Sequence, residues 1–519
     1  MTATTDVPVR PRTPRAARAV PLTAARLLRI ELRRSPMPWI LPLIAALLWF
    51  DSYRPSISQP PIYVLRTFWN MGQGHTIIDF GPFVAGMAAW IGSRDGRRGM
   101  GDLVTATARP RWVAQLVTWA AVAIWAVGGY LVFVGVMFGV YAHQRIGGSP
   151  PWWWVAVGAV AVAAFSAAGF AAGVFFPSRF AAPLAAFGGF LACVMSSQTG
   201  FSSPSGWALI LPTNSNGNYE PISGVFYRYL PDLPIARVMF LGGIAAAALG
   251  LLGLPARAGG PGLRRAAAVV TLAGVASAGT AVGLAGTAWR GPHGMVIPAL
   301  HDAANDRPIP YTPVCGRAAG VPVCLNPAYR RYLTDVTGAL RPVLAGVAGL
   351  PGAPGSVTQV PGTYTSGEGE AGPVVTVSGR APVLRLPLEA MATLPGSTGF
   401  TGAPETEAQF ADQLRVLSVH AFVGAGNGAG TPAQQAVQAA LLQDAGVPFA
   451  AQAKLLAAAR NAPGPPPGPA TGPATEPATE PVYAAARRLA ALPPAARHAW
   501  LAAHLGALRS GHLTLAQLP

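Results

Sequence analysis

Two places in the chain bring together residue types that can do chemistry or recognition. The first is Ser93-Arg94-Asp95-Gly96-Arg97-Arg98-Gly99-Met100-Gly101-Asp102-Leu103-Val104, which sets guanidinium groups, carboxylates and apolar side chains side by side before Pro110. At a protein contact, charges of both signs set the register and an apolar anchor supplies the burial. Arg94, Asp95, Arg97, Arg98, Met100, Asp102 and Leu103 are therefore candidates for docking a partner, and residues 102–108 read as a short helix. A solvated charged loop without a partner is the competing reading. The second place is Cys315 and Cys324, with eight residues between them. In an oxidising compartment this pair reads as a disulfide. A zinc site is the other reading, but no His pair lies nearby to complete the ligands.

Familiar catalytic arrangements are missing. The only lysine, Lys454, lies in the glycine-free stretch Ala451-Gln452-Ala453-Lys454-Leu455, whereas a Walker phosphate loop needs Lys directly after glycine. Neither His-Glu-x-x-His nor Gly-x-Ser-x-Gly occurs, so zinc-peptidase and nucleophile-elbow chemistry have no carrier. His498, His504 and His512 read as ordinary helix residues, because a spacing of six misses a shared helical face. His75 and Asp79 are the only groups that an intramembrane transferase could use. Asp79 sits one turn into an apolar run, either paired inside a bundle or at the outer interface. We expect no catalytic residue, no metal and no cofactor.

The elements that position these residues are apolar to an unusual degree. Of the 519 residues 51% are hydrophobic and 11% charged, against about 25% charged in soluble domains. Mean hydropathy is +0.38, which excludes a wholly soluble protein. The net charge of +17 comes from 37 basic residues, all Arg but one. Nucleic acid is not the expected partner, because the Arg excess lies between apolar runs, as cytoplasmic Arg does in membrane proteins. Crossing a hydrocarbon core of about 30 Å takes about 20 helical residues. Apolar runs at 37–50, 76–92, 112–142, 153–176, 181–198, 238–256 and 266–287 predict about seven transmembrane helices within a domain spanning 37–287.

Arg placement orients them. Segments 1–36, 93–111, 177–180 and 257–265 hold 8, 5, 1 and 3 Arg, while the opposite side holds five: Arg54, Arg66, Arg145, Arg228 and Arg237. The positive-inside rule then puts the N-terminus in the cytoplasm of a multi-pass plasma-membrane protein and the C-terminal domain outside. Residues 1–21 read as a disordered basic N-terminus and 22–36 as an interfacial amphipathic helix. In that helix Arg26, Arg29 and Arg33 share one face and Leu28 and Leu32 another, with Thr23 as cap; a topogenic basic flank is the plainer reading. The fold class is thus an all-α polytopic membrane protein with a C-terminal external α+β domain.

The external domain covers 288–462, irregular as far as 327. Short strands are expected at 356–364, 374–378 and 383–388, with helices at 327–348, 405–423, 432–445 and 448–460. Residues 463–481 are a Pro/Ala/Thr-rich linker, and 482–519 form a helical C-terminal segment.

Over residues 20–256 the chain resembles the permease subunits of type-2 ABC exporters, in an Arg- and Ala-rich actinobacterial style. The resemblance rests on Glu31-Leu32-Arg33-Arg34-Ser35-Pro36 closing the pre-span helix, and on Arg94-Asp95, Arg97-Arg98-Gly99, Asp102-Leu103 and Arg109-Pro110 in the following loop. It extends to the segment 200–234, with Trp207-Ala208-Leu209-Ile210-Leu211-Pro212 and Tyr227-Arg228-Tyr229, where the family keeps an extracellular segment between its fifth and sixth spans. The resemblance implies an interfacial connecting helix, a coupling helix touching a separate cytoplasmic ABC ATPase, and a second permease copy or homologue in the lipid bilayer. ATP hydrolysis would then lie on the partner chain. A seventh span and a large external domain depart from the family pattern. An alternative reading is a membrane-anchored extracytoplasmic binding or sensing module whose spans are scaffold.

Overall fold

The computed structural model describes residues 24–52, 75–99, 110–143, 152–202, 210–211, 225–228, 230–255, 260–291, 294–361, 376–378, 382–388, 407–424, 430–452 and 480–519. The described residues are 72% helical. The first nine helices are α1 (Ala24–Arg34), α2 (Met37–Ser52), α3 (His75–Gly92), α4 (Arg94–Arg97), α5 (Arg111–His143), α6 (Trp152–Phe175), α7 (Ala181–Ser202), α8 (Asp232–Leu251) and α9 (Pro261–Gly286).

Among the described residues four helices have the length and apolarity to cross a membrane: Arg111–Val136, Trp152–Phe175, Asp232–Leu251 and Pro261–Gly286. The other three expected spans are shorter apolar helices, at Met37–Leu47, Phe80–Gly92 and Ala181–Ser196. The sixth expected span, placed after Arg237, starts earlier than its charges allowed. Helix α8 begins at Asp232, because Asp232 and Arg237 are both fully buried rather than marking a boundary.

Small residues let these helices approach closely. Ala85 and Ala89 of α3 meet Gly169 and Gly173 of α6, where a Cβ on either glycine would collide with the carbonyl of the facing alanine. Two such pairs four residues apart form a small-residue seam, which helices use when lipid supplies no hydrophobic drive. The bundle core gathers Met37, Phe80, Val84, Tyr130, Phe170 and Leu249. Indoles inside the bundle find acceptors: the buried Trp112 donates its Nε1–H to the Leu249 carbonyl at 2.9 Å, and the half-buried Trp119 donates to Ser166 Oγ at 3.0 Å. Leu184 and Phe187 on α7, and Val269, Leu272 and Val275 on α9, remain exposed, as residues facing lipid would.

Beyond α9 the stretch expected to be irregular holds two hairpins. Strand β1 (Trp289–Gly291) pairs with β2 (Gly294–Val296), and β3 (Val314–Ala318) with β4 (Val321–Leu325), both antiparallel. The β3–β4 turn is Ala319-Gly320, both at positive φ, the conformation that matches hairpin twist. Cys315 and Cys324 sit directly opposite each other in this ladder and form a disulfide. A 3₁₀ turn and α10 (Leu333–Val347) lead to β5 (Ser356–Gln359), followed by β6 (Thr376–Ser378) and β7 (Val383–Leu386). The sheet order is β3-β4-β5-β7-β6, with β4–β5 and β5–β7 parallel. The crossover from β4 to β5 carries the amphipathic α10, whose Val336, Leu340 and Leu344 cover the sheet residues Val323, Val357 and Leu384.

Helices α11 (Glu407–Val423), α12 (Pro432–Asp444), α13 (Glu480–Ala491) and α14 (Pro494–Arg509) complete the domain. Thr431 caps α12 reciprocally with Gln434. The C-terminal pair shares one core with the rest: Leu489, Leu501, Leu505 and Leu508 pack with Val419, Phe422 and Val437. Val225 and Phe226, from the segment before α8, belong to the sheet core. Met295 and Ile297 pack on residues of α8. The domain is therefore seated on the bundle at two places.

Candidate functional site

The loop predicted to dock a partner begins as a single helical turn. Helix α3 ends at Gly92, Ser93 Oγ donates to the Trp90 carbonyl, and α4 covers Arg94–Arg97. Gly96 faces Pro177 so closely that a Cβ there would collide with the ring; this turn is wedged against the α6–α7 connection. Arg97 folds back on α3: its Nη2 donates to the Trp90 carbonyl at 2.9 Å, and its guanidinium carbon lies 3.6 Å above the Trp90 ring. Arg94 faces the amphipathic helix, with Nη2 3.6 Å from Glu31 Oε1, while its Nε is 3.4 Å from Asp95 Oδ1.

Helix α1 is itself tethered. Trp125 Nε1 on α5 donates to the Leu32 carbonyl at 3.0 Å, and Ser35 Oγ caps Met37 N where the chain turns into α2. Arg26, Arg29 and Arg33 are exposed, on the face expected for them, and no residue of α1 is fully buried. Together α1, the end of α3, α4, α5 and residues 177–179 surround a cleft of about 900 Å³. Of the seven docking candidates Arg94, Arg97 and Arg98 line it, while Asp95 contacts Arg94. Met100, Asp102, Leu103 and the expected helix at 102–108 lie outside the described residues, as does Thr23. Asp79 is in the second turn of α3; its side chain lies outside the described residues.

A second polar cluster lies at the other end of the bundle, and sequence reading missed it. Asp232 is fully buried in the first turn of α8. Its Oδ2 accepts from the Ile297 amide at 2.9 Å and lies 3.1 Å from His301 Nδ1. His301 Nε2 is 3.0 Å from Asp306 Oδ2. Hydrogen bonding to Asp306 pushes the His301 pKa above its ordinary value; partial burial opposes this, and the negative charges of Asp232 and Asp306 reinforce it. One turn along α8, the fully buried Arg237 places its guanidinium carbon 4.9 Å from the Trp154 ring centre. The only available signal was that 231–237, Pro-Asp-Leu-Pro-Ile-Ala-Arg, carries two opposite charges beside an apolar run.

Among the described residues no three His, Cys, Asp or Glu groups are placed to hold a metal ion. His498 contacts the distant Ala348 carbonyl, while His504 and His512 make local contacts to the Trp500 carbonyl and Ser510 Oγ. One ion pair and one indole hydrogen bond join the charged loop, the amphipathic helix and the bundle. No protein-family model, curated protein or solved structure matches the chain.

Proposed function

We propose that the chain is the permease subunit of an ABC-type exporter, driven by a separate ATPase that docks on residues 94–111. The observation that carries this reading is the Arg94–Glu31 ion pair, 3.6 Å long, between the docking loop and a helix suited to the inner leaflet. A partner pressing on α4 would move α1 with it. The hydrogen bond from Trp125 to Leu32 would pass that displacement to α5, biasing the helices between inward- and outward-open arrangements. In this reading the three shorter apolar helices join the four long ones as seven spans. The N-terminus is cytoplasmic, the disulfide-bearing domain is outside, and a second permease copy or homologue completes the pathway.

Co-purification tests it. The detergent-solubilised chain should retain an ATPase expressed from the same cells, and reversing Asp102 to Arg or truncating Leu103 to Ala should weaken that association or uncouple hydrolysis from transport. Retention at the unmodified level with unchanged transport in both variants would instead favour the anchored external module. That second reading draws on the way residues 225–226 and 295–297 seat the external domain on the bundle.

A further inference from the structure

We propose that the cleft between α1, α3, α4, α5 and the 177–179 turn binds the phosphate headgroup of an anionic phospholipid. The cavity of about 900 Å³ is the size of an ordinary small-molecule site. Five guanidinium groups line it, those of Arg34, Arg94, Arg97, Arg98 and Arg179, with Glu31 the sole carboxylate of the lining. Glu31 is already engaged by Arg94. Among the described residues Arg34, Arg98 and Arg179 have no carboxylate within ion-pair distance.

Arg97 is pinned by Trp90, and its Nε is buried without a hydrogen-bond partner. A buried donor left unmade is unfavourable, and a phosphate oxygen would satisfy it. Like charges gathered around one concavity repel each other until an anion is present, and guanidinium forks match phosphate geometry. Ser35, Thr118 and Ser178 add hydroxyls to the lining.

The apolar surroundings favour a lipid over a soluble phosphate compound. Ile91, Ala121 and Val122 line the same cavity. Phe176 and Phe180 flank the lining residues 177–179 in the chain and stand 71% and 70% exposed. A basic pocket beside exposed aromatic side chains suits a molecule with a phosphate at one end and acyl chains at the other. The proposal needs the apolar helices to sit in a bilayer; it does not need an ATPase partner.

The full chain, purified in neutral detergent, is titrated with phosphatidylglycerol or phosphatidylcholine, and retained lipid is counted by native mass spectrometry. Phosphatidylglycerol should bind at least about tenfold more tightly. The variant Arg34→Gln/Arg98→Gln/Arg179→Gln should lose most of that preference. Arg264→Gln/Arg265→Gln, which removes two exposed guanidinium groups at the start of α9, should keep it. Equal retention of both lipids by the unmodified chain would overturn the proposal without reliance on any variant. So would an equal loss in the α9 variant, which would mark a diffuse surface charge. Displacement of phosphatidylglycerol by inorganic phosphate at about 10 mM, well above the weak affinity expected of a lone headgroup phosphate, would overturn the lipid assignment in favour of a soluble phosphate compound.

Discussion

The imidazole of His301 lies 3.1 Å from the fully buried carboxylate of Asp232, a residue 69 positions earlier in the chain. This contact ties the segment after β2 to the first turn of α8. Because the His301 pKa is raised in the folded protein, its stabilising contribution is complete below the ordinary imidazole value of about 6.5 and fades as pH rises through the folded value. Thermal unfolding of the purified chain should therefore show His301→Gln less stable than the parent at about pH 5.5, with the gap narrowing toward about pH 9. Loss of a hydrogen bond to a charged group is worth about 1.5–3 kcal/mol at the acid end. A gap that is constant with pH would mean that His301 acts by shape alone.

The Ala85–Gly169 and Ala89–Gly173 approaches leave no room for a side chain. Gly169→Val or Gly173→Val should force α3 and α6 apart and cost about 1–3 kcal/mol or more. The check is the thermal midpoint and the monodisperse fraction on size exclusion. Gly128→Val, at a position where an added Cβ meets nothing within 4 Å, serves as the control and should change little.

Thiol counting tests the hairpin. Of three cysteines, Cys315 and Cys324 are bridged and Cys193 is buried. Protein purified without reductant should show no reactive thiol when folded and one per chain when denatured. Reduction should lower the stability of the C-terminal domain by about 2–3 kcal/mol, from the loop-closure entropy of so short a loop.

Glu31 and Arg94 are both partly solvated, so their ion pair contributes at most about 1 kcal/mol to stability. Glu31→Ala should leave the thermal midpoint nearly unchanged while weakening the link between ATP hydrolysis and transport in a reconstituted complex. Full coupling in Glu31→Ala would remove α1 from the proposed transmission path.

Arg509 clamps the C-terminal helices to the rest of the C-terminal domain. Its Nε donates to the Phe422 carbonyl at 2.9 Å, its Nη1 to Pro351 at 3.2 Å, and its guanidinium carbon lies 4.7 Å from the Phe422 ring centre. Truncating the chain before residue 480 would remove this clamp and uncover the apolar faces of α11 and α12. The shortened protein should aggregate or become protease-sensitive between residues 407 and 447. Arg509→Leu in the full chain should give a milder destabilisation of about 1–3 kcal/mol.

Apolar length and residue periodicity are local properties, and they located the apolar helices, the amphipathic α1, helices α10 to α14 and strands β5 to β7. The cysteine pair was legible as a disulfide from its expected compartment and from the lack of a nearby His pair, whereas the hairpin that sets Cys315 opposite Cys324 looked irregular among so many prolines and glycines. Which helices reach membrane length was less legible: Arg237 read as a boundary charge, whereas stacking near Trp154 lets it sit inside α8. The docking loop could be named from its mixed charges, but its attachment to Glu31 depends on the packing of α1 along α5, which no spacing encodes. The His301–Asp232 contact and the five-arginine cleft were invisible for a stronger reason. Their members come from separate elements, and only the tertiary arrangement, by excluding water and closing distances between remote residues, makes them neighbours.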